Sequence, residues 1–507
     1  MSEPVTTPEL TQMRSAASAY PWPVPTQVIS NGEFMPGPQT ARQREVEGHI
    51  KRLCDALSAH HGLERRAFLT SAAGMATAFV AMNEVYGAAF AVDPAEASEP
   101  GAAAARAQAL ATQTIIDLHT QFIRDDSGPG LQYFAELREQ AREAHQNPQL
   151  PERPATLEDL HLGTYVREMW FDSDTKVAAL SGAPSDLRKD WLLPNHSIAA
   201  TRDSINRFAG SRRLLSHFIF TPGQPGWLEQ IDRGIEQLRP DAWKGYTIGD
   251  HTHKDLSRYP WRMDDEQVAY RGYEKFVKAG IRNVAVHKGL YTRSDEQRYP
   301  HLKEFAQVED VGKAARDWPQ LNFLIYHAAY RYTGEGEPAI ALAEFERTGR
   351  LEWVSDLAEI PAKYGVSNVY ADIGASFAAC CISEPRTAAA MLGILIKGLG
   401  ADHVIWGTDS IWFGSPQWQI EALRRLEIPA DMRRRHGFAP LGLADGPVKT
   451  AIFGMNAARL QRLPLTARWQ SNDALERHRL AYHAQGHARS NRAYGYIRAA
   501  RSSAQVA

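Results

Sequence analysis

Ile116-Asp117-Leu118-His119-Thr120-Gln121 reads as a β-strand that runs out into groups able to hold a metal. Residues at i and i+2 of a strand share a face, so Asp117, His119 and Gln121 are expected to point the same way. The pattern recurs downstream. Val284-Ala285-Val286-His287-Lys288, Leu324-Ile325-Tyr326-His327 and Ile405-Trp406-Gly407-Thr408-Asp409 each pass from an apolar stretch into histidine or aspartate. One histidine at a strand end is usually a hydrogen-bonded structural residue. Three histidines and an aspartate at four strand ends point to shared chemistry.

Working outward from these four, β-rich runs alternate with amphipathic segments of helical length from Thr114 onward. The candidate strands are Thr114–His119, Thr175–Leu180, Leu214–Phe220, Trp243–Ile248, Asn283–His287, Asn322–His327, Asn368–Asp372 and His403–Thr408. Between them lie Leu131–His145, Trp227–Leu238, Asp264–Ala279, Leu302–Asp317, Leu351–Tyr364 and Pro385–Leu399, with Gln417–Leu426 as the eighth helix. Ser185–Ser211 is a less regular connection. Apolar residues recur in these segments at spacings of three and four, as one packed helix face requires. Eight such units over about 310 residues have the count and size of an α/β (β/α)8 TIM barrel with loop insertions. A doubly wound open sheet is the alternative, but no glycine-rich dinucleotide loop follows the first strand. The reading is therefore an N-terminal helical arm over 1–113, a barrel over 114–460 and a basic C-terminal extension over 461–507.

Composition supports a globular chain and excludes several classes. Of 507 residues, 44% are hydrophobic and 23% charged, with Lys+Arg 57 against Asp+Glu 59. The formal net charge of −2 speaks against a nucleic-acid or anionic-membrane binder. Cys54, Cys380 and Cys381 are the only cysteines, which rules out a disulfide framework. No stretch is apolar and long enough for a convincing membrane span; the charge-free run Ala67 to Asn83 stops at Glu84.

That run has suggestive flanks. Glu64-Arg65-Arg66-Ala67-Phe68-Leu69-Thr70 resembles a twin-arginine export signal, with Ala89-Phe90-Ala91 as a cleavage-like tripeptide. Use of the signal implies a periplasmic protein; otherwise the chain is cytoplasmic. The competing reading is an amphipathic arm, roughly residues 41–91, wrapped on the core or a neighbouring subunit. Residues 94–112 read as a linker. From Arg477 onward there are six arginines, three histidines and no acid, which reads as a docked surface helix or tail.

In a barrel, reactive groups gather at the C-terminal ends of the strands. Asp-x-His on strand one, histidines closing strands five and six, and Gly-Thr-Asp on strand eight resemble the amidohydrolase-related metal-dependent hydrolases (amidohydrolase family 2). The resemblance is to the branch that contains aminocarboxymuconate-semialdehyde decarboxylase, and it covers roughly residues 114–460. It implies one divalent metal ion, zinc or manganese, held by His119, His287 and Asp409. It also implies His327 as an acid/base, so that Asp409 and His327 are the catalytic pair. The family pattern has a second histidine on strand one, where this chain has Gln121. A neutral amide oxygen binds zinc less well than imidazole does, which makes Gln121 at best a weak ligand. His251-Thr252-His253 lies at the same barrel end as a possible substitute. Lys244 falls early in strand four and reads as structural. Asp117 is expected to orient a ligand, while Lys288, Tyr330, Arg331 and Trp412 lie just past strand ends, where they can line a substrate pocket or pack loops.

The leading expectation is a hydrolase that uses metal-activated water on a small organic substrate. A second is a non-oxidative decarboxylase or hydratase of an aromatic or unsaturated acid, which a convergent Arg331 would favour. A third is a non-catalytic barrel acting in binding or assembly. A homodimer exchanging the terminal segments is compatible with all three.

Overall fold

The computed structural model describes residues 22–34, 37–127, 131–132, 134–135, 156–334, 336–464 and 473–485. The expected helix Leu131–His145 lies largely outside them. Eight parallel strands follow one another in sequence order around a barrel. They are β1 Ile116–Thr120, β2 Val177–Leu180, β3 Leu214–Ile219, β4 Ala242–Tyr246, β5 Asn283–His287, β6 Asn322–Tyr326, β7 Val369–Asp372 and β8 Val404–Ile405. The eighth strand returns to the first: Leu118 N–H donates to the Trp406 carbonyl (3.0 Å) and Asp409 N–H to that of His119 (2.8 Å).

Alternation along the strands builds two layers. Val284, Val286, Phe323 and Ile325 face the surrounding helices in the main core. Ile116, Leu118, Val177, Leu215, Ala285 and Leu324 form an inner cluster with Ala457 and Leu460. Asn283, the first residue of β5, donates to the Leu460 carbonyl (2.8 Å), so the segment around Leu460 covers the N-terminal end. The opposite end is left for polar groups.

One element departs from simple alternation. Ile116 and Leu118 both belong to the inner cluster, so Asp117 between them lies on the other face. The register with β2 shifts between Asp117 and Thr120, an irregularity that returns His119 to the interior against Tyr326, ring centroids 3.8 Å apart. The expected common face of Asp117, His119 and Gln121 is corrected accordingly.

The N-terminal residues fold onto the barrel. Helix 41–57 starts at Thr40, whose side chain accepts from Gln43 N–H in a capping box, and buries Val46, Ile50 and Cys54. Helix 72–86, which contains most of the signal-like run, buries Ala76, Ala78, Phe79, Ala81 and Met82. Phe90 pairs with Leu426, and Arg42 reaches Glu384 at 2.9 Å. The expected linker forms two short helices, 94–98 and 102–110, held by Glu96–Arg425 (2.6 Å) and Arg106–Glu421 (2.8 Å) ion pairs. At the other terminus, Asp473 caps helix 474–484 and pairs with the buried Arg213 at 2.6 Å. No helix among the described residues is long and apolar enough to cross a membrane.

Candidate metal centre

The ends of β1, β5, β6 and β8 converge. His119 Nε2 lies 3.2 Å from Asp409 Oδ1, yet this nitrogen has no hydrogen-bond partner. The other ring nitrogen explains why. His119 Nδ1 is 3.0 Å from Asp372 Oδ1 at the end of β7, and a carboxylate there holds the proton on Nδ1. A bare Nε2 lone pair therefore faces a carboxylate oxygen.

His327 is oriented in the same manner. Its Nδ1 donates to the Gly374 carbonyl (2.9 Å), leaving Nε2 to accept from His287 Nδ1 (3.1 Å). Backbone strain aims the two β-strand termini. His327, Ala328 and Ala329 have φ of 63°, 50° and 56°, and Asp409 has 58°, values costly for residues with a Cβ. Such strain, about 1–3 kcal/mol per residue, collects where surrounding structure must hold a functional geometry. Gly407 makes room: a Cβ there would meet Asp372 Oδ2 at 2.0 Å and His119 Cβ at 2.7 Å.

Burial sets the charges. The three imidazoles are held below the ordinary histidine value, His119 and His327 well below, chiefly by desolvation. They are neutral and able to ligate. Burial and the neighbouring Glu33 push Asp409 well above the carboxylate range, and burial raises Asp372 to about 6. His119, His327 and Asp409 each offer a ligand atom within 4.8 Å of the others, as do Glu33, His287 and His327. Lone pairs crowded against carboxylates in a desolvated site fit a divalent cation, which converts mutual repulsion into coordination.

The other residues expected in the site fall into place differently. Gln121 donates its amide nitrogen to Asp409 Oδ1 at 2.7 Å, so it positions Asp409 here, while its Oε1 is buried without a hydrogen-bond partner. Asp117 accepts from the backbone N–H groups of His119 (3.0 Å) and Thr408 (3.1 Å) and from the Thr408 hydroxyl. It thus braces the backbone before both ligands, while the ring of His119 is oriented by Asp372. Burial raises Asp117 to about 8. Lys288 is not a pocket residue: both Asp310 oxygens at 2.9 Å and the Phe305 carbonyl at 2.7 Å take its ammonium. Arg331 is likewise spent on Glu296 (2.7 Å) and Glu352 (3.0 Å). Trp412 stacks on Phe134 with centroids 4.7 Å apart, its indole N–H unpartnered. His251 turns to the Pro184 carbonyl (3.3 Å) and His253 to Asp190 (3.5 Å).

Three contributions come from outside the expected set. Asp372 ends β7 in the way that Asp409 follows β8, so the strand-end criterion applied to the seventh strand would have found it. Lys244 lies within the barrel, its Nζ 3.5 Å from the Tyr326 ring centroid and without a hydrogen-bond partner. Desolvation lowers it to about 7. Asn31 and Glu33 enter from the N-terminal segment. Asn31 Nδ2 donates to Asp409 Oδ2 (2.8 Å) and to Glu33 Oε1 (3.0 Å), and Glu33 Oε2 sits 3.1 Å from His287 Nε2. No sequence signal marks these two.

Comparison with known proteins follows this geometry. Residues 237–463 match the family model described as Amidohydrolase. No curated protein matches the chain. Among solved structures, 5-carboxyvanillate decarboxylase LigW from Sphingomonas paucimobilis is 16% identical, with 70% of this chain and 100% of that one covered and a TM-score of 0.38. An uncharacterised TIM-barrel protein from Bordetella bronchiseptica is 14% identical, with 69% and 99% covered and a TM-score of 0.44. A 2,6-dihydroxybenzoate decarboxylase from Rhizobium is 15% identical, with 69% and 99% covered and a TM-score of 0.37.

Proposed function

From the match of residues 237–463 to the amidohydrolase family model we propose that the chain is a metal-dependent hydrolase cleaving a C–N or C–O bond of a small organic substrate. The observation that carries the reading is the bare His119 Nε2 facing Asp409 Oδ1 at 3.2 Å, an arrangement that a cation resolves.

His119, His287 and Asp409 would hold a zinc or manganese ion, which would supply Lewis acidity to water and to a substrate oxygen. The chain's own groups do the rest. As a carboxylate, Asp409 would take the proton of the attacking water, and burial raises its affinity for that proton. Gln121 and Asn31 hold one carboxylate oxygen each, which fixes the angle of that transfer. His327, tied at Nδ1 to Gly374, offers Nε2 to relay a proton to the leaving nitrogen or oxygen. Asp372 keeps the His119 ring from turning. Depth in the barrel excludes bulk water and strengthens each of these interactions.

A decarboxylase of a carboxylic acid wants a cation to grip the substrate carboxylate. Arg331 and Lys288 are neutralised by carboxylates of the chain itself, which leaves that part to the metal ion or to Lys244 and keeps decarboxylation as the second reading of the same site. Elemental analysis of protein purified without chelator, beside Asp409→Asn and His287→Ala, tests the proposal. Stoichiometric zinc or manganese, lost in both variants, with turnover of amides or lactones, is expected. A metal-free, metal-refusing protein overturns it; turnover of aromatic acids alone transfers the site to decarboxylation.

A further inference from the structure

The centre described above has a second face, built from a segment outside the barrel. Residues 22–34 run as a bent, irregular chain without helix or strand and are buried along nearly their whole length. Within this segment Ser30 donates its hydroxyl to the Phe34 carbonyl, and Asn31 Oδ1 accepts from Glu33 N–H (3.1 Å). This tight turn drives Asn31 and Glu33 into the site. Lys254 secures it from outside by donating to the Glu33 carbonyl (3.2 Å).

Hydrogen-bond accounting at His287 then gives a definite result. The Gly374 carbonyl holds the proton of His327 on Nδ1, so His327 Nε2 is an acceptor. His287 Nδ1, 3.1 Å away, must donate to it. A neutral His287 has one N–H, and it is now used. Its Nε2 is a lone pair, and 3.1 Å from that lone pair stands a carboxylate oxygen of Glu33. The relationship between His119 and Asp409 is thereby repeated. On each side a bare imidazole nitrogen faces a buried carboxylate, and Asn31 Nδ2 bridges the two carboxylates.

We propose that Glu33 is a ligand of the metal centre, delivered by the N-terminal segment and supplying the donor that strand one lacks at Gln121. The proposal rests on the metal-dependent reading above and deepens it. An anionic oxygen in place of a second strand-one imidazole makes the donor set harder, which shifts its preference towards manganese relative to three imidazoles and one carboxylate. The segment is then both part of the centre and its cover.

The test is metal affinity by chelator competition, together with the visible spectrum of the cobalt-substituted protein, for wild type, Glu33→Gln and His287→Ala. Glu33→Gln keeps size and hydrogen-bonding capacity but removes the charge. Expected is a loss of at least about tenfold in affinity and an altered cobalt spectrum, because a ligand is lost outright where neighbours of ligands already cost 10–100-fold. Should Glu33→Gln fail to fold, Glu33→Asp, with the carboxylate drawn back by one methylene, is expected to alter the spectrum in the same sense. A folded Glu33→Gln protein with unchanged affinity and spectrum, while His287→Ala loses metal, overturns the role of Glu33 alone. Retention of metal in His287→Ala as well overturns the metal-centre reading itself. Unchanged affinity with raised turnover in Glu33→Gln also overturns ligation and makes the segment a plug.

Discussion

His119 Nδ1 lies 3.0 Å from Asp372 Oδ1, and this contact between β1 and β7 decides which face of the imidazole is offered to the centre. A ring so held cannot rotate or switch tautomer without leaving a buried carboxylate uncompensated.

Asp372→Asn keeps the shape but ends the preference for a proton on Nδ1. Metal affinity is expected to fall by about 10–100-fold with the fold intact. Competition against a fluorescent chelator measures it, and an affinity within twofold of wild type would remove Asp372 from its positioning role.

Lys288 is an internal strut between the end of β5 and Asp310, both groups being wholly buried. Removing one partner of such a pair strands the other charge, so Lys288→Met is expected to cost about 3–5 kcal/mol in denaturant unfolding with KM unchanged. Normal stability with a raised KM would return this lysine to the substrate pocket.

Lys244 makes the metal-free protein sensitive to pH in a defined window. Desolvation holds the folded-state value at about 7, below the ordinary 10.5, partly opposed by Asp409, Asp372 and Glu33. Between these two values the unfolded chain binds more protons than the folded one, so this group's contribution to stability rises with pH across the window. Urea unfolding of chelator-treated protein at pH 7.5 and 9.5 is expected to show a gain that Lys244→Met lacks. An equal gain in the variant would assign it elsewhere.

Helix 72–86 is packed into the body, and residues 31 and 33 precede it in the chain. Intact mass spectrometry of metal-loaded protein is expected to find the region before Ala91 still attached. A metal-loaded species beginning at residue 92 would contradict both the packing and the part given to Glu33.

Much of the architecture was legible in the chain. Pro385–Leu399 and Asn283–His287 fall where their apolar periodicities put them. His119, His287, His327 and Asp409 meet because a parallel barrel places all its strand ends on one rim. Asp117 leaves the expected common face because strict alternation fails at the register shift beside it. Lys288 and Arg331 were left open between pocket and loop packing, because position after a strand does not fix where a long side chain goes. Asp310, 22 residues from Lys288, and Glu296 and Glu352, 35 and 21 residues from Arg331, capture them across the fold. Asn31 and Glu33 lie in a segment with no periodicity to read, and only the folded chain brings them to Asp409 and His287.

Asn31 and Asp409, joined by one hydrogen bond, stand 378 residues apart in the chain. Asn31 is therefore made 378 residues of chain before its partner. A nascent chain that has not yet released its eighth strand holds no complete centre, and neither does any fragment cut between the two. A metal ion that needs both ends of this contact would load only once Asp409 has been made.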